Sequence, residues 1–374
     1  MVQAKVERLR QLLRELNLEG AILSSAENIR YFSGFTSADA WLFISQDREA
    51  LVTDGRYWAQ AQAEAPQVEL IKYSSQKYTS LAHCLGEWLA DWHFKGALAI
   101  EGRSLSYEAY LQLERHLLER GVATSLESHS AQLDGLRLIK TPEELAAIGR
   151  ASQVADAAWA QTVKRIEAGM RESELCAELE YQMQLAGARK PSFDTIVASG
   201  PNGAYPHAQV TQRPIGEGEL VTVDFGCIVD GWCSDITRTF WLGQLEPHLV
   251  ALWETVKRAH DRGVEAARPG LSGGELDSVA RQIITEAGYG PYFSHSLGHG
   301  VGLAVHEGPG IRAESSLILA AGMTLTIEPG IYQPGLGGCR IEDLLYLTEE
   351  GSVTLSRAPY QILGQAHPRE AYSA

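Results

Sequence analysis

The sequence predicts a mixed α/β chain in two domains: a small α/β domain over residues 1–131, then a larger α+β domain over 132–374 with internal pseudo-two-fold symmetry. Three observations predict it. At 374 residues the chain exceeds the usual size of one hydrophobic core. Its first third alternates short apolar runs with amphipathic helical patterns. The remainder matches itself at a nearly constant offset.

Val6, Leu9, Leu12, Leu13 and Leu16 recur at helical spacing among charged residues, so the segment 5–18 reads as an amphipathic helix and not as a cleavable leader. Short strands are expected at 21–24, 41–45 and 97–100, with helices around 55–65, 79–93 and 106–120. This part of the chain carries no chemistry motif. The second domain starts afresh at Thr141-Pro142-Glu143-Glu144, which reads as an N-cap threonine, a proline at the first helical position and a glutamate at the third. The helix it opens is expected to run to about residue 168. Glu174-Leu175 then aligns with Glu275-Leu276, and Ala186-Gly187 with Ala287-Gly288, since 275 − 174 and 287 − 186 both equal 101. Further on, the segment from Gly218 to Gly226 aligns with that from Gly322 to Gly330, where 322 − 218 is 104. Each half therefore reads as helices, a strand, a turn and a second strand.

Composition limits the function. The hydrophobic share of 45% and charged share of 21% are those of an ordinary globular protein. A net charge of −15 argues against a nucleic-acid partner, which would require a basic face. No apolar run approaches the ~20 residues that span a bilayer, so no membrane partner is expected. The 5 cysteines form no CxxC pair, and their odd number points to reduced thiols in the cytoplasm.

The repeat places acids in matching positions. Strand alternation turns Val221 and Val223 to one face and Thr222 and Asp224 to the other. Leu325 and Ile327 against Thr326 and Glu328 repeat the pattern, and each half returns with another acid, Asp235 in the first and Glu342 in the second. One such acid alone would be a solvated strand end, or a partner for Arg238 or Arg340. Four converging carboxylates repel one another unless cations neutralise them. A pair of divalent ions bridged by two of the carboxylates does so. Three imidazoles, His295, His299 and His306, lie within twelve residues of glycine-rich chain. One nitrogen donor among oxygens suits Mn, Co, Fe or Zn better than Ca or Mg. His207 sits in a loop ahead of the first carboxylate hairpin, where an imidazole could shuttle protons.

Together, Val-Asp224-Phe-Gly, Ser-Asp235-Ile-Thr-Arg-Thr, Gly-His299-Gly-Val-Gly-Leu-Ala-Val-His306-Glu, Thr-Ile-Glu328-Pro-Gly and Arg340-Ile-Glu342-Asp resemble the pita-bread metallopeptidases over roughly residues 135–360. That group holds methionine aminopeptidase, aminopeptidase P and prolidase. Asn28-Ile-Arg-Tyr-Phe-Ser-Gly-Phe and Thr53-Asp-Gly-Arg-Tyr resemble the creatinase-type N-terminal domain, which favours the proline-specific branch. The resemblance implies two divalent metal ions per chain (Mn, Co or Zn). Asp224 would chelate one, His299 and Glu328 the other, and Asp235 and Glu342 both. It implies a general base in Glu328, proton shuttling or oxyanion donation by His207 and His306, and substrate contacts from His207, His295, His306 and Arg340. Arg340 would also steady the metal-bound carboxylates. The expected substrates are short peptides with proline in second position, cleaved before the proline, and the expected assembly is a homodimer.

Two rivals are open. Gly270-Leu-Ser272-Gly-Gly274, with Asp277 and His295 following, fits a serine-hydrolase order, but the Arg-Pro-Gly before it is no apolar strand. The other is a metal-free pita-bread protein, creatinase-like or purely binding, although such chains lack several of the five ligands present here.

Overall fold

The structure, a computed structural model, describes residues 2–360. It divides into two compact units, the first ending at Arg137 and the second starting at Leu138.

The first unit is one sheet of six strands: β1 (Gly20–Leu23), β2 (Ala40–Ser45), β3 (Glu49–Thr53), β4 (Glu69–Lys72), β5 (Gly96–Ile100) and β6 (Ala123–Ser128), in the order β4-β3-β2-β1-β5-β6. β1 pairs antiparallel with β2 and parallel with β5. Both β1 and β2 are buried along their whole length, so they read as continuous apolar runs instead of alternating ones. Six helices accompany the sheet: α1 (Val2–Leu16), α2 (Ala26–Ser33), α3 (Trp58–Glu64), α4 (Leu81–Asp91), α5 (Tyr107–Glu119) and α6 (Ser130–Gly135). The expected helices and three expected strands are present. β3, β4, β6, α2 and α6 were not anticipated. β4 is a short edge strand with two exposed charged ends, which is how edges avoid further pairing and why no alternation shows in its sequence.

The second unit opens on α7 (Pro142–Thr162), whose capping box is formed: Thr141 Oγ1 accepts from the Glu144 N–H at 3.3 Å, and Glu144 Oε2 from the Thr141 N–H at 3.0 Å. The helix ends at Thr162, followed by a short 3-10 turn, and so stops before the expected residue 168. The rest comprises α8 (Glu172–Leu185), α9 (Pro247–Ala266), α10 (Gly273–Glu286) and the strands β7 (Lys190–Pro191), β8 (Ile196–Ser199), β9 (Val221–Phe225), β10 (Cys227–Val229), β11 (Trp232–Cys233), β12 (Ile236–Phe240), β13 (Gly298–Gly300), β14 (Glu307–Ile311), β15 (Thr324–Ile327), β16 (Gly330–Gln333), β17 (Gly337–Arg340), β18 (Asp343–Leu347) and β19 (Ser352–Thr354).

The duplication read from sequence is visible in these elements. α7 packs on α8 and α9 on α10. The aligned segments become β9 and β15, and each pairs antiparallel with the strand that returns the second acid, β12 and β18. Each half has its own core. In the first, Trp159 of α7 stacks on Phe225 of β9, with Leu175, Leu179, Val221 and Val223 around them. In the second, Leu252, Val256, Leu276 and Ala280 pack on Leu325, Ile327 and Leu345. With Val221, Val223, Leu325 and Ile327 committed to these cores, alternation leaves the Asp224 and Glu328 side of each strand for other work.

Candidate metal centre

The acids sit where the two hairpins meet. Asp224 lies in β9 opposite Thr237 of β12, and Asp235 immediately precedes β12. Glu328 follows β15, and Glu342 immediately precedes β18. A backbone bridge between Thr237 and Glu342 fastens one hairpin to the other. His299 arrives on β13, which runs close against β15. A side chain at Gly298 would put its Cβ 2.0 Å from the Thr326 carbonyl oxygen, so only glycine allows the imidazole this close to Glu328.

Three overlapping groups could each hold a cation: Asp224, Asp235 and Glu342; His299, Glu328 and Glu342; and Asp235, His299 and His306. Within each, one ligand atom per residue lies within 4.8 Å of the others. All five expected ligands belong to these groups. They face a cavity of about 720 Å³ whose walls also carry His207, His295, His306 and Arg340.

The charge balance of this cluster is unfavourable for the protein alone. Burial, followed by the charges of Glu342, Asp224 and Glu328, pushes Asp235 well above its usual carboxylate range. Burial, Glu328 and Asp224 do the same to Glu342. Burial also raises Asp224, against the opposing pull of Arg340. Burial would raise Glu328 too, but the hydrogen bond and charge of His299 outweigh it and hold the carboxyl at about 2. Four carboxylates thus share one arginine, Arg340, and one imidazole, His299. Asp224 Oδ1 is buried with no hydrogen-bond partner, while Oδ2 accepts from Arg340 at 2.6 Å. An unpartnered buried carboxylate oxygen, hard oxygen donors around it and one imidazole fit divalent cations.

The imidazoles differ in what they can do. His299 Nδ1 lies 3.1 Å from the Gly300 carbonyl and must donate to it. Its Nε2 therefore faces the acids, 3.3 Å from Glu328 and 3.6 Å from Asp235, with the tautomer fixed as metal ligation requires. His295 has both nitrogens engaged, Nδ1 with the Ser296 carbonyl at 2.8 Å and Nε2 with the Tyr332 hydroxyl at 2.9 Å. Since Nδ1 donates, Nε2 of the neutral ring accepts from Tyr332, and burial lowers the pKa of His295. Among the described residues neither His207 nor His306 has a hydrogen-bond partner, and both line the cavity. Burial and the neighbouring His299 keep His306 below its ordinary pKa, with the two rings edge to face at 4.3 Å.

Arg340 is fully engaged. It donates to Asp224, to the Tyr332 hydroxyl at 2.7 Å, to the Pro206 carbonyl at 3.1 Å and to Thr237 Oγ1 at 3.2 Å. It thereby ties one carboxylate to the loop that carries His207.

Sequence reading missed several supporting residues. Thr237 Oγ1 donates to Glu342 Oε2 at 2.7 Å, and Thr326 Oγ1 to Glu328 Oε1 at 3.2 Å. Strand parity was a usable signal for Thr326 and for Tyr332, which sit two residues before and four after Glu328. Glu172 gave none. It is wholly buried, and it accepts from Ser199 N–H and hydroxyl, Asn202 and Thr211 N–H and hydroxyl, clamping both ends of the His207 loop. Those partners are 27 to 39 residues away. Ser272, the serine-hydrolase candidate, is the N-cap of α10, with its hydroxyl accepting from the Glu275 N–H at 3.1 Å, and Asp277 is paired with Arg281. It is a helix cap.

Known proteins resemble this chain along its length. Residues 146–349 match the sequence model of metallopeptidase family M24, and residues 5–139 that of the creatinase/prolidase N-terminal domain. An Xaa-Pro dipeptidase of Pyrococcus furiosus is 36% identical over 363 residues, covering 97% of this chain and 100% of that protein. An uncharacterised peptidase of Bacillus subtilis is 38% identical over 96% of this chain and 99% of its own length. Among solved structures, an Xaa-Pro dipeptidase from Bacillus anthracis superposes with a TM-score of 0.90 at 36% identity, covering 98% of this chain and 100% of that one. An X-Pro aminopeptidase from Thermotoga maritima gives 0.87 at 34% identity, over 96% of this chain and 99% of that one. With relatives aligned end to end and the family model spanning more than half of its length, the chain belongs to metallopeptidase family M24.

Proposed function

We propose that this metallopeptidase hydrolyses the bond before a proline in second position of a short peptide, with two divalent ions (Mn, Co or Zn) held by Asp224, Asp235, His299, Glu328 and Glu342. One observation carries the reading: two buried and two largely buried carboxylates and an imidazole meet in a single cavity with too little positive charge of their own. Two of the candidate groups, one with Asp224 and one with His299 and Glu328, overlap at Glu342, which supports a pair of ions over a single one. Relatives of both Xaa-Pro names align along the whole chain, which supports the proline requirement.

Bound divalent ions supply Lewis acidity, polarising the scissile carbonyl and acidifying water. The chain's own residues do the rest. Glu328, ionised at neutral pH, accepts the proton of the attacking water and delivers it to the proline nitrogen. His306 and His207, both without internal partners, donate to the oxygen on which charge develops. His295 and Arg340 line the cavity with their polar atoms committed. They meet substrate by shape, and they hold Tyr332, Asp224 and the His207 loop in place. An X–Pro bond has no N–H, so a site built on carboxylates and imidazoles accepts it where one reading a peptide N–H would not.

The reading extends to a homodimer, as the family resemblance implies, and to the cytoplasm, in keeping with five cysteines that form no disulfide. The test compares Ala-Pro with Ala-Pro-Ala under manganese, cobalt and zinc in turn. Hydrolysis before proline of at least one is expected; inactivity on both under all three metals would refute it.

A further inference from the structure

We propose that the first unit carries a metal site of its own, a zinc-binding group formed by His83 and Glu87 of α4 and His116 of α5. It is separate from the catalytic cluster, all of whose residues lie in the second unit.

The geometry points to it from several directions. His83 and Glu87 are one helical turn apart and so share a face of α4. α5 packs against that helix and brings His116 in. One ligand atom from each of the three lies within 4.8 Å of the others. His116 Nε2 is 2.9 Å from Glu87 Oε1, and the two imidazole centroids are 4.6 Å apart with planes tilted by 51°. Two imidazoles on one tetrahedral ion hold their centroids roughly 5 Å apart, so small side-chain rotations suffice.

The surroundings are arranged for it. Arg120 donates to Glu87 Oε2 at 3.0 Å, which orients the carboxylate and leaves Oε1 for the imidazoles. Arg120 is 45% exposed, so water screens its charge from an incoming cation. The Thr79 N–H donates to His83 Nδ1 at 3.2 Å, which fixes the orientation of the ring. A side chain at Gly86 would put its Cβ 2.3 Å from the His116 ring, so glycine there makes the space in which that imidazole lies between the helices. All three ligands are half-buried and reachable from solvent. A lone His116–Glu87 ion pair does not account for the second imidazole, His83, against that ring.

Two imidazoles and one carboxylate make the donor set of an open zinc site, with water completing a tetrahedron, and are a poor set for calcium or magnesium. The ion would cross-link α4 to α5.

The test counts zinc on the full-length protein dialysed against a zinc buffer, by elemental analysis. The wild type should retain one more equivalent per chain than the His83→Ala/His116→Ala double variant. The wild type's thermal midpoint should rise with zinc more than the variant's. Glu87→Gln, which keeps a hydrogen-bonding partner for His116, should bind the extra zinc at least tenfold more weakly and guards against a folding defect in the double variant. Equal zinc content in all three proteins would overturn the proposal. Peptidase activity, measured alongside with manganese, should be unchanged in the variants. Its absence in the wild type under manganese, cobalt and zinc alike would refute the proposed function and leave the zinc count intact.

Discussion

Glu342 and Asp343 are neighbours in sequence, equally buried, and lie in clusters that solve the same problem in opposite ways. Asp343 receives Arg238 at 2.7 Å, His260 at 3.1 Å, the Ser356 hydroxyl at 2.8 Å and the Tyr360 hydroxyl. Burial would raise its pKa, but Arg238, His260 and Tyr360 outweigh burial and hold it far below the usual carboxylate range. Glu342 receives one hydroxyl, from Thr237, and burial with the charges of Glu328 and Asp224 outweighs Arg340 and drives its pKa upward. The difference lies in where the positive charge comes from. The protein supplies its own for Asp343. For Glu342 it must come from outside, which makes that cluster a place to bind cations and the other a place to brace the strand.

Substitutions should separate the two clusters most sharply in activity. Asp235→Asn or Glu342→Gln is expected to lower kcat/KM on an Xaa-Pro peptide by about a thousandfold or more, because a shared ligand is lost. Steady-state assays at saturating manganese check this, and near-wild-type activity in either variant would dissolve the contrast.

Stability should show opposite signs. Asp343→Asn removes the partner of a buried arginine and should destabilise by about 3–5 kcal/mol. In chelated protein, Asp235→Asn relieves repulsion and should stabilise by about 1–2 kcal/mol. Urea unfolding in the presence of a chelator reads both, and loss of stability in both variants would place the two clusters in one class.

Supporting residues come next. Thr237→Val should weaken metal binding about 10- to 100-fold by freeing Glu342. Glu172→Gln should act elsewhere, raising KM as the His207 loop loosens while metal affinity stays. Metal titration and substrate titration on each variant distinguish the two effects.

The smallest signal is pH. For Asp235 and Glu342 the folded pKa exceeds the unfolded one, so the native state binds more protons. Their contribution is present in acid and declines as pH rises above 3.8 for Asp235 and 4.5 for Glu342. For Asp343 the folded pKa is depressed, so its contribution is present above 3.8 and lost as pH falls below it. Chelated protein should therefore lose stability relative to metal-loaded protein as pH rises above 4.5. Parallel curves with and without chelator would contradict the assignment.

Much of the catalytic unit was legible because its halves repeat: Asp224 and Glu328, and Asp235 and Glu342, could be matched by strand parity and offset before any coordinates. The capping box at Thr141 was legible for the same local reason. Arg238, His260 and Tyr360 were not readable as Asp343's partners, because nothing in a strand's own sequence says which distant side chain will meet its far face. Glu172 was hidden likewise, β4 because an edge strand with charged ends has no alternation to detect, and β3 because it is an interior strand buried on both faces. His83, Glu87 and His116 sit on two separate helices, and only the packing of α4 on α5 joins them.

The central claim is that five side chains from two hairpins and a glycine-rich strand share a pair of cations. An anomalous-scattering map from crystals of the manganese-loaded protein tests it most directly. Two manganese peaks are expected, both touching Glu342 and Asp235, one beside Asp224 and one beside His299 and Glu328. An active, manganese-loaded protein with no peak among those five residues would contradict it.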